Sequence, residues 1–177
     1  MPAKEFIEAN DLFRDSFALA KRIYDSGFRP DVLVVLWRGG TPVGMVVHEF
    51  LLYKGLQTYH TAIKAESYTG IGQRIEPRIE NLDPVLAVLK PDSRVLVIDD
   101  IFDSGSTLKR VCELLRTRTA HIRTATLYYK DGNRVVDLAP DFYLRKTDRW
   151  IVFPHELMDL TPEEIRQKDP ELAGLLG

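Results

Sequence analysis

The sequence predicts an α/β fold in which a mainly parallel, twisted sheet carries helices on both faces. Residues 32–37 form an unbroken apolar, mostly β-branched run, and the segment 94–100 contains a second run that ends in two carboxylates. Both runs indicate buried strands. Each is followed by a glycine-containing turn and a helical stretch, which is the order of elements that a parallel sheet requires.

The other elements follow from local patterns. Apolar residues at helical spacing indicate an amphipathic helix over residues 11–26, and Gly27 then provides a stop. Thr161 and Pro162 suit an N-cap and a first helical position, so a C-terminal helix is expected there. The remaining expected elements are, in chain order, a helix at 43–52, a strand at 56–63, a short helix at 84–89, a helix directly after the second buried strand, and strands at 121–129, around Phe142 and at 150–153.

Residues 66–82 are predicted to form a long loop, because they are polar, contain glycine and show no clear periodicity. Loops of this length inside a domain are uncommon and are often lids or binding segments. The sequence therefore indicates an enzyme that opens and closes over its substrate.

Composition limits the classes of protein to consider. The 177 residues suit one domain, 1–177, and 45% hydrophobic with 28% charged residues is typical of a globular protein. A net charge of −2 argues against a broad basic face, so we expect no nucleic-acid partner and a compact phosphate site. No signal peptide and no apolar run near the ~18 residues of a membrane span are present, so we expect a cytoplasmic protein without a membrane partner. Cys112, the only cysteine, excludes an internal disulfide framework and a cysteine-built zinc site.

The strongest functional signal is the stretch 95–107, where a strand ends in Asp99 and Asp100 and a helix then begins. Ligands of open parallel sheets bind at this edge. The residues between Asp103 and Thr107 are small hydroxyl residues and a glycine, which can present backbone N–H groups and hydroxyls to one phosphate. Carboxylates beside that phosphate suit the vicinal hydroxyls of a ribose. The alternative is that Asp103 or Ser104 caps the helix and that the pair is a solvated strand end.

This stretch, from Asp99 to Thr107 behind its apolar strand, resembles the ribose-phosphate signature of type I phosphoribosyltransferases. The resemblance covers about residues 30–157. It implies the type I phosphoribosyltransferase fold, with a small hood that carries the base pocket, made of the N-terminal helix and residues 140–160. It also implies that the loop 66–82 is a flexible flap, and that the substrates are 5-phosphoribosyl-1-pyrophosphate (PRPP) and a nitrogenous base, with Mg²⁺ as cofactor.

The resemblance also assigns roles to residues. The stretch Trp37 to Gly40 is similar to the pyrophosphate-binding loop, in which glycine lets backbone amides approach an anion. Catalytic roles are implied for Asp103, Arg38, Ser67 and Tyr68. Metal contacts, direct or through water, are implied for Asp99, Asp100 and Glu156. The implied PRPP-binding residues are Arg38, Gly39, Gly40, Asp99, Asp100, Asp103, Ser104, Gly105, Ser106 and Thr107.

Within the family, the sequence is most similar to 6-oxopurine enzymes, in particular the short bacterial xanthine-guanine type. Asp103 is implied to lie near N7 of the purine, and Lys130 is implied to reach the 6-oxo oxygen. The other implied base-binding residues are Trp150, Ile151 and Glu156. Taken alone, Asp103 is a helix cap, Lys130 is a solvated lysine at a strand end and Trp150 is a core residue.

One feature departs from the family pattern, which has an aromatic residue and an aspartate after the proline at this point. Here Pro154 is followed by His155 and Glu156, which leaves open whether hypoxanthine, guanine or xanthine is preferred. Family habit implies a homodimer or homotetramer.

Two other classes of function are weighed against this one. A PRPP-sensing regulator or RNA-binding protein on the same fold would need a basic face or an added domain, and a phosphoribosyltransferase for another base is a second alternative. A Rossmann dinucleotide enzyme is excluded, since no GxGxxG follows the first strand.

Overall fold

The computed structural model describes residues 4–66, 69–70, 73–74 and 77–177. Its strands are β1 (Lys4–Phe6), β2 (Val32–Trp37), β3 (Tyr59–Glu66), β4 (Thr69–Gly70), β5 (Gln73–Arg74), β6 (Arg78–Glu80), β7 (Val95–Ile98), β8 (Ile101–Phe102), β9 (Ile122–Tyr129), β10 (Phe142–Lys146) and β11 (Trp150–Val152). Its α-helices are α1 (Ala9–Asp25), α2 (Gly40–Tyr53), α3 (Asp83–Val88), α4 (Ser106–Leu115), α5 (Pro162–Lys168) and α6 (Pro170–Leu176).

The main sheet contains seven strands in the order β10-β9-β7-β2-β3-β6, and the short β8 also pairs with β9. Every pair in it is parallel except β3 with β6. At the centre, Val32 of β2 is in register with Val95 of β7 on one side and Tyr59 of β3 on the other. The prediction of a mainly parallel sheet is confirmed.

Helices cover both faces of this sheet, as predicted. Val34 and Leu36 of β2 belong to a buried cluster that includes Val85 of α3 and residues of α4. Val35 points to the opposite face because side chains alternate along a strand. There it meets α2 at Gly44, where a Cβ atom would lie 2.7 Å from Val35 Cγ1. Glycine at this position lets α2 lie close against the sheet.

The segment 66–82 contains more regular structure than the predicted loop. The strands β4 and β5 pair with each other, and β6 extends the main sheet beside β3. Ile79 of β6 packs against the core cluster, and Glu80 is 3.8 Å from Lys64 Nζ on the neighbouring strand. Ile79 is the one apolar residue of β6. A single apolar residue cannot produce the alternating pattern that predicts a strand.

The predicted strand at 56–63 lies three residues too early, since β3 begins at Tyr59. The reason is the end of α2. Gly55 adopts a φ of +80°, and the N–H of Leu56 donates to the carbonyl of Leu51. This hydrogen bond makes Leu56, the first residue of the predicted strand, part of the end of the helix.

The chain divides into two compact units. The larger comprises residues 13–148, and the smaller contains residues 4–12 and 149–177. In the smaller unit β1 pairs in parallel with β11. Most of α1 and all of β10 lie in the larger unit, and the hood that the resemblance implies stays a prediction. Asp141 explains the position of β10: its carboxylate accepts hydrogen bonds from the Thr124 N–H and from Arg123, which fixes the start of β10 beside β9.

Among the residues described, none of the helices combines the length and the apolar character needed to cross a bilayer.

Candidate active site

Two turns meet at the carboxyl edge of the main sheet. β2 ends at Trp37 and leads into Arg38-Gly39-Gly40, and β7, its parallel neighbour, ends at Ile98 before the two aspartates. A Cβ atom on Gly39 would overlap the Asp100 carboxylate, with Oδ1 only 2.8 Å away. A Cβ atom on Gly40 would lie 2.6 Å from the Ile98 carbonyl oxygen. Both glycines are therefore required by contact with the acidic turn.

Arg38 and Thr41 lie at the start of α2. Arg38 is exposed, and its carbonyl accepts the N–H of Thr41. The hydroxyl of Thr41 is buried and has no hydrogen-bond partner among the described residues. A buried polar atom without a partner is costly, so this hydroxyl suits a ligand. Sequence reasoning missed Thr41, because a threonine at the first turn of a helix is common.

The backbone holds the acidic pair in place. Asp99 Oδ1 accepts the N–H of Asp100 at 3.0 Å, and Asp100 Oδ1 accepts the N–H of Ile101 at 2.7 Å. Asp100 is buried, with 7% of its surface exposed. The pKa of Asp99 is raised well above 3.8, first by burial and second by the charge of Asp100. Two adjacent carboxylates whose charges repel favour a bound cation or a hydrogen-bond donor.

The turn from Asp103 to Thr107 leads into α4. Gly105 is the N-cap, with a φ of +82°, and no side chain caps the helix. A Cβ atom on Gly105 would overlap the ring of Phe102 and would lie 2.7 Å from Val136 Cγ2. Ser104 Oγ accepts the N–H of Ser106 at 3.3 Å. The turn thus has the small residues and the helix start that a phosphate site needs.

The carboxylate of Asp103 does not cap the helix, so that alternative is wrong for this residue. It is instead 3.0 Å from the Lys130 ammonium through Oδ2, while Asn133 Nδ2 donates to Oδ1 at 2.8 Å. The Asp103 side chain is half-exposed, at 51%, whereas Lys130 is 8% exposed. The alternative of a solvated lysine is also wrong, since Lys130 is buried and paired.

Asn133 is a residue of this site that the sequence did not reveal. It lies in the Asp131–Asn133 turn after β9, where asparagine is an ordinary turn residue. Its contact with Asp103 spans 30 positions of the chain. No local pattern signals such a contact.

Three of the predicted base-binding residues belong to the smaller unit, where Ile151 is buried. Trp150 is 47% exposed, so the alternative of a core residue is wrong. The Glu156 carboxylate accepts the N–H of Phe153 at 3.0 Å, which gives it a structural role in a turn. Ser67 and Tyr68 lie outside the described residues.

The described residues place few candidate metal ligands close together. Among the residues that the structure describes, no group of three or more histidine, cysteine, aspartate or glutamate side chains could hold a metal ion. The adjacent carboxylates of Asp99 and Asp100 are the candidate metal ligands that the site offers.

The chain is similar to known proteins along most of its length. Residues 4–159 match the model of the phosphoribosyl transferase domain family. A xanthine-guanine phosphoribosyltransferase of Cereibacter sphaeroides is 30% identical over 167 residues, which cover 90% of this chain and 91% of that protein. The crystal structure of a purine phosphoribosyltransferase from Pyrococcus horikoshii superposes with a TM-score of 0.70 at 28% identity, covering 89% of this chain and 97% of that one. A Neisseria gonorrhoeae protein, crystallised with ppGpp, shares the fold, with a TM-score of 0.76, 24% identity and coverage of 97% and 98%.

The contact between Gly105 and Phe102 predicts the result of a paired substitution. Gly55 has nearly the same φ as Gly105 but open space around it. Gly55→Ala should cost about 1 kcal/mol in the free energy of unfolding, from backbone strain. Gly105→Ala should cost about 1–3 kcal/mol more, because its methyl group overlaps a packed ring. Urea denaturation of both variants measures the difference, and equal losses would contradict the contact.

The raised pKa of Asp99 predicts a pH-dependent stability in buffer without Mg²⁺ or PRPP. The folded state binds the proton more tightly than the unfolded state, so this stabilisation is present below the unfolded pKa and is lost as pH rises through the folded pKa. Asp99→Asn should therefore gain unfolding free energy relative to the wild type as pH rises from about 4 to about 7. Asp92→Asn, at an exposed site, is the control. If the difference in unfolding free energy between Asp99→Asn and the wild type did not change with pH, the raised pKa of Asp99 would be contradicted.

Proposed function

Since the chain belongs to the phosphoribosyl transferase domain family, we propose that it is a purine-salvage phosphoribosyltransferase. It transfers the 5-phosphoribosyl group of PRPP to N9 of a 6-oxopurine, namely hypoxanthine, guanine or xanthine, and releases pyrophosphate. The observation that carries this proposal is the contact of the Gly39 backbone with the Asp100 carboxylate. It supports one site that has a turn for pyrophosphate and an acidic pair for ribose.

The donor substrate would be held at three places. The 5-phosphate would lie in the turn Ser104–Thr107, where backbone N–H groups and hydroxyls converge at the positive end of the ten-residue α4. The ribose hydroxyls would donate to Asp99 and Asp100. The pyrophosphate would bind the amides of Gly39 and Gly40 together with Arg38, and the Thr41 hydroxyl, which has no partner among the described residues, would supply a further hydrogen bond.

The acidic pair fits Mg²⁺ that arrives with the donor. Mg²⁺ is commonly bound by one or two carboxylates together with substrate phosphates. Asp99 and Asp100 supply two. Burial and then the charge of Asp100 raise the pKa of Asp99, and a cation there would offset the second of these causes. When bound, the metal neutralises charge on the leaving pyrophosphate. Glu156 is engaged with the Phe153 N–H, so we do not include it among the ligands.

The pair of Asp103 and Lys130 suits a 6-oxopurine. The Lys130 ammonium would donate to the 6-oxo oxygen, a bond that the amino group of adenine cannot accept. As N9 attacks C1 of the ribose and the bond to pyrophosphate breaks, Asp103 would take or share the purine proton near N7. The hydrogen bond from Asn133 fixes the orientation of this carboxylate. Asn133 is therefore a positioning residue.

The remaining roles stay predictions from the resemblance. Trp150 would stack on the purine ring and the backbone of Ile151 would read its edge. Ser67 and Tyr68 would close over the reacting centre and exclude water. The homodimer or homotetramer and the cytoplasmic location likewise stay predictions.

A turnover assay tests the proposed function. The protein is incubated with PRPP and Mg²⁺ and, separately, with hypoxanthine, guanine, xanthine or adenine. Nucleotide is measured by chromatography and pyrophosphate by a coupled assay. We expect equal amounts of both products with at least one 6-oxopurine, at a kcat/KM more than about tenfold that with adenine, since the amino group of adenine is a donor and cannot accept the hydrogen bond from Lys130. PRPP binding without product from any base would instead indicate a sensor.

Asp103→Asn tests the proton role. The amide keeps the size of the side chain and loses the base, so we expect kcat to fall about 10²-fold or more while the Kd for PRPP changes by less than about threefold. Single-turnover kinetics and calorimetry provide the two numbers. Asp137→Asn, at an exposed position, is the control. Equal losses of turnover and donor binding would contradict the role.

A further inference from the structure

The turn that follows β11 is closed by reciprocal hydrogen bonds. The Phe153 carbonyl accepts the N–H of Glu156 at 3.0 Å, and the Glu156 carboxylate accepts the N–H of Phe153 at 3.0 Å. Pro154 occupies the second position of this turn, where its fixed φ is favourable. The rings of Phe153 and His155 stack with centroids 5.7 Å apart. The residues that depart from the family pattern thus form a defined turn.

Lys168 ties the two ends of this turn together. It is the last residue of α5, and its ammonium donates to the carbonyl of Phe153 at 2.8 Å and also to the carbonyl of Glu156. Hydrogen bonds from a charged donor are stronger than those between neutral groups. Burial lowers the pKa of Lys168, while Glu156 and then Asp169 raise it. The ammonium is therefore half-buried and directed at the backbone.

The start of α5 is attached to the same region. Thr161 and Glu164 form a capping box, and Glu164 is 2.7 Å from Lys4 Nζ. Lys4 lies in β1 and is in register with Trp150 of β11. Both ends of α5 therefore connect to the segment that contains Trp150 and the turn after it.

We propose that Lys168 is a positioning residue for recognition of the purine base. By bonding both carbonyls of the turn, it fixes the backbone after β11 and so the orientation in which Trp150 and Ile151 meet the base. This inference rests on the proposed function. It gives the C-terminal segment a part in substrate recognition.

Three variants test the role of Lys168. Lys168→Met removes the ammonium and keeps the apolar stem. Lys168→Arg keeps a charged donor that can reach two carbonyls. Arg166→Met is the matched control: it removes one positive charge from the same helix, where Arg166 is exposed and pairs at 3.6 Å with Glu163. Each variant is compared with the wild type for the KM of the base, the KM of PRPP, kcat, and hydrogen exchange of residues 150–157.

We expect Lys168→Met to raise the KM of the base about tenfold, because both hydrogen bonds that hold the turn are lost. The KM of PRPP should change less than about twofold, because the hydrogen bonds of Lys168 lie within the smaller unit. Hydrogen exchange of residues 153–156 should become faster. Lys168→Arg should keep the KM of the base and the hydrogen exchange of residues 153–156 near their wild-type values. Arg166→Met should leave both unchanged.

The possible results separate this inference from the proposed function. If the wild type and Arg166→Met turn over a 6-oxopurine while Lys168→Met keeps the wild-type ratio of the two KM values, the positioning role is overturned and the function stands. A uniform loss of kcat with unchanged KM values, or a loss of thermal stability alone, also overturns it. If the wild type makes no nucleotide from any base, both proposals fail.

Discussion

The parallel pairing of β2 with β7 is the constraint on which the site depends, because it brings two turns from distant parts of the chain into contact. The backbone at Gly39 lies so close to the Asp100 carboxylate that no side chain fits between them. Gly40 approaches the carbonyl of Ile98 in the same way. Gly39 is therefore limited by a carboxylate of the other turn and Gly40 by the backbone at the end of β7, so the pairing of the two strands also fixes the geometry of the site.

That contact has an electrostatic consequence. Two carboxylates at the end of a buried strand repel each other, which contributes to the raised pKa of Asp99. A ligand that brings a cation and hydroxyl donors offsets this repulsion. The relief of the repulsion between the two carboxylates then contributes to the free energy of binding. Across the same edge, Lys130 is a buried cation whose charge is balanced by Asp103.

Much of this could be predicted from the sequence, because the signals were local. Buried strands such as β2 and β7 are continuous apolar runs, and the turns after them contain glycine and aspartate. The contacts of Asn133 with Asp103 and of Glu80 with Lys64 join residues far apart in the chain, and no local pattern encodes them. The strand around Phe142 was predicted, but the contact of Asp141 with Thr124 that fixes its start beside β9 has no local signal.

The C-terminal segment extends this argument. Its residues match no diagnostic motif, yet Lys168 bonds the turn in which the chain departs from the family pattern. In the turn that contains His155 and Glu156, the Glu156 carboxylate accepts the N–H of Phe153. The Lys168 ammonium of α5 donates to the carbonyls of Phe153 and Glu156 and so joins both ends of this turn. If the proposed role of Lys168 holds, base recognition depends on a lysine that lies outside the stretches Trp37–Gly40 and Asp99–Thr107.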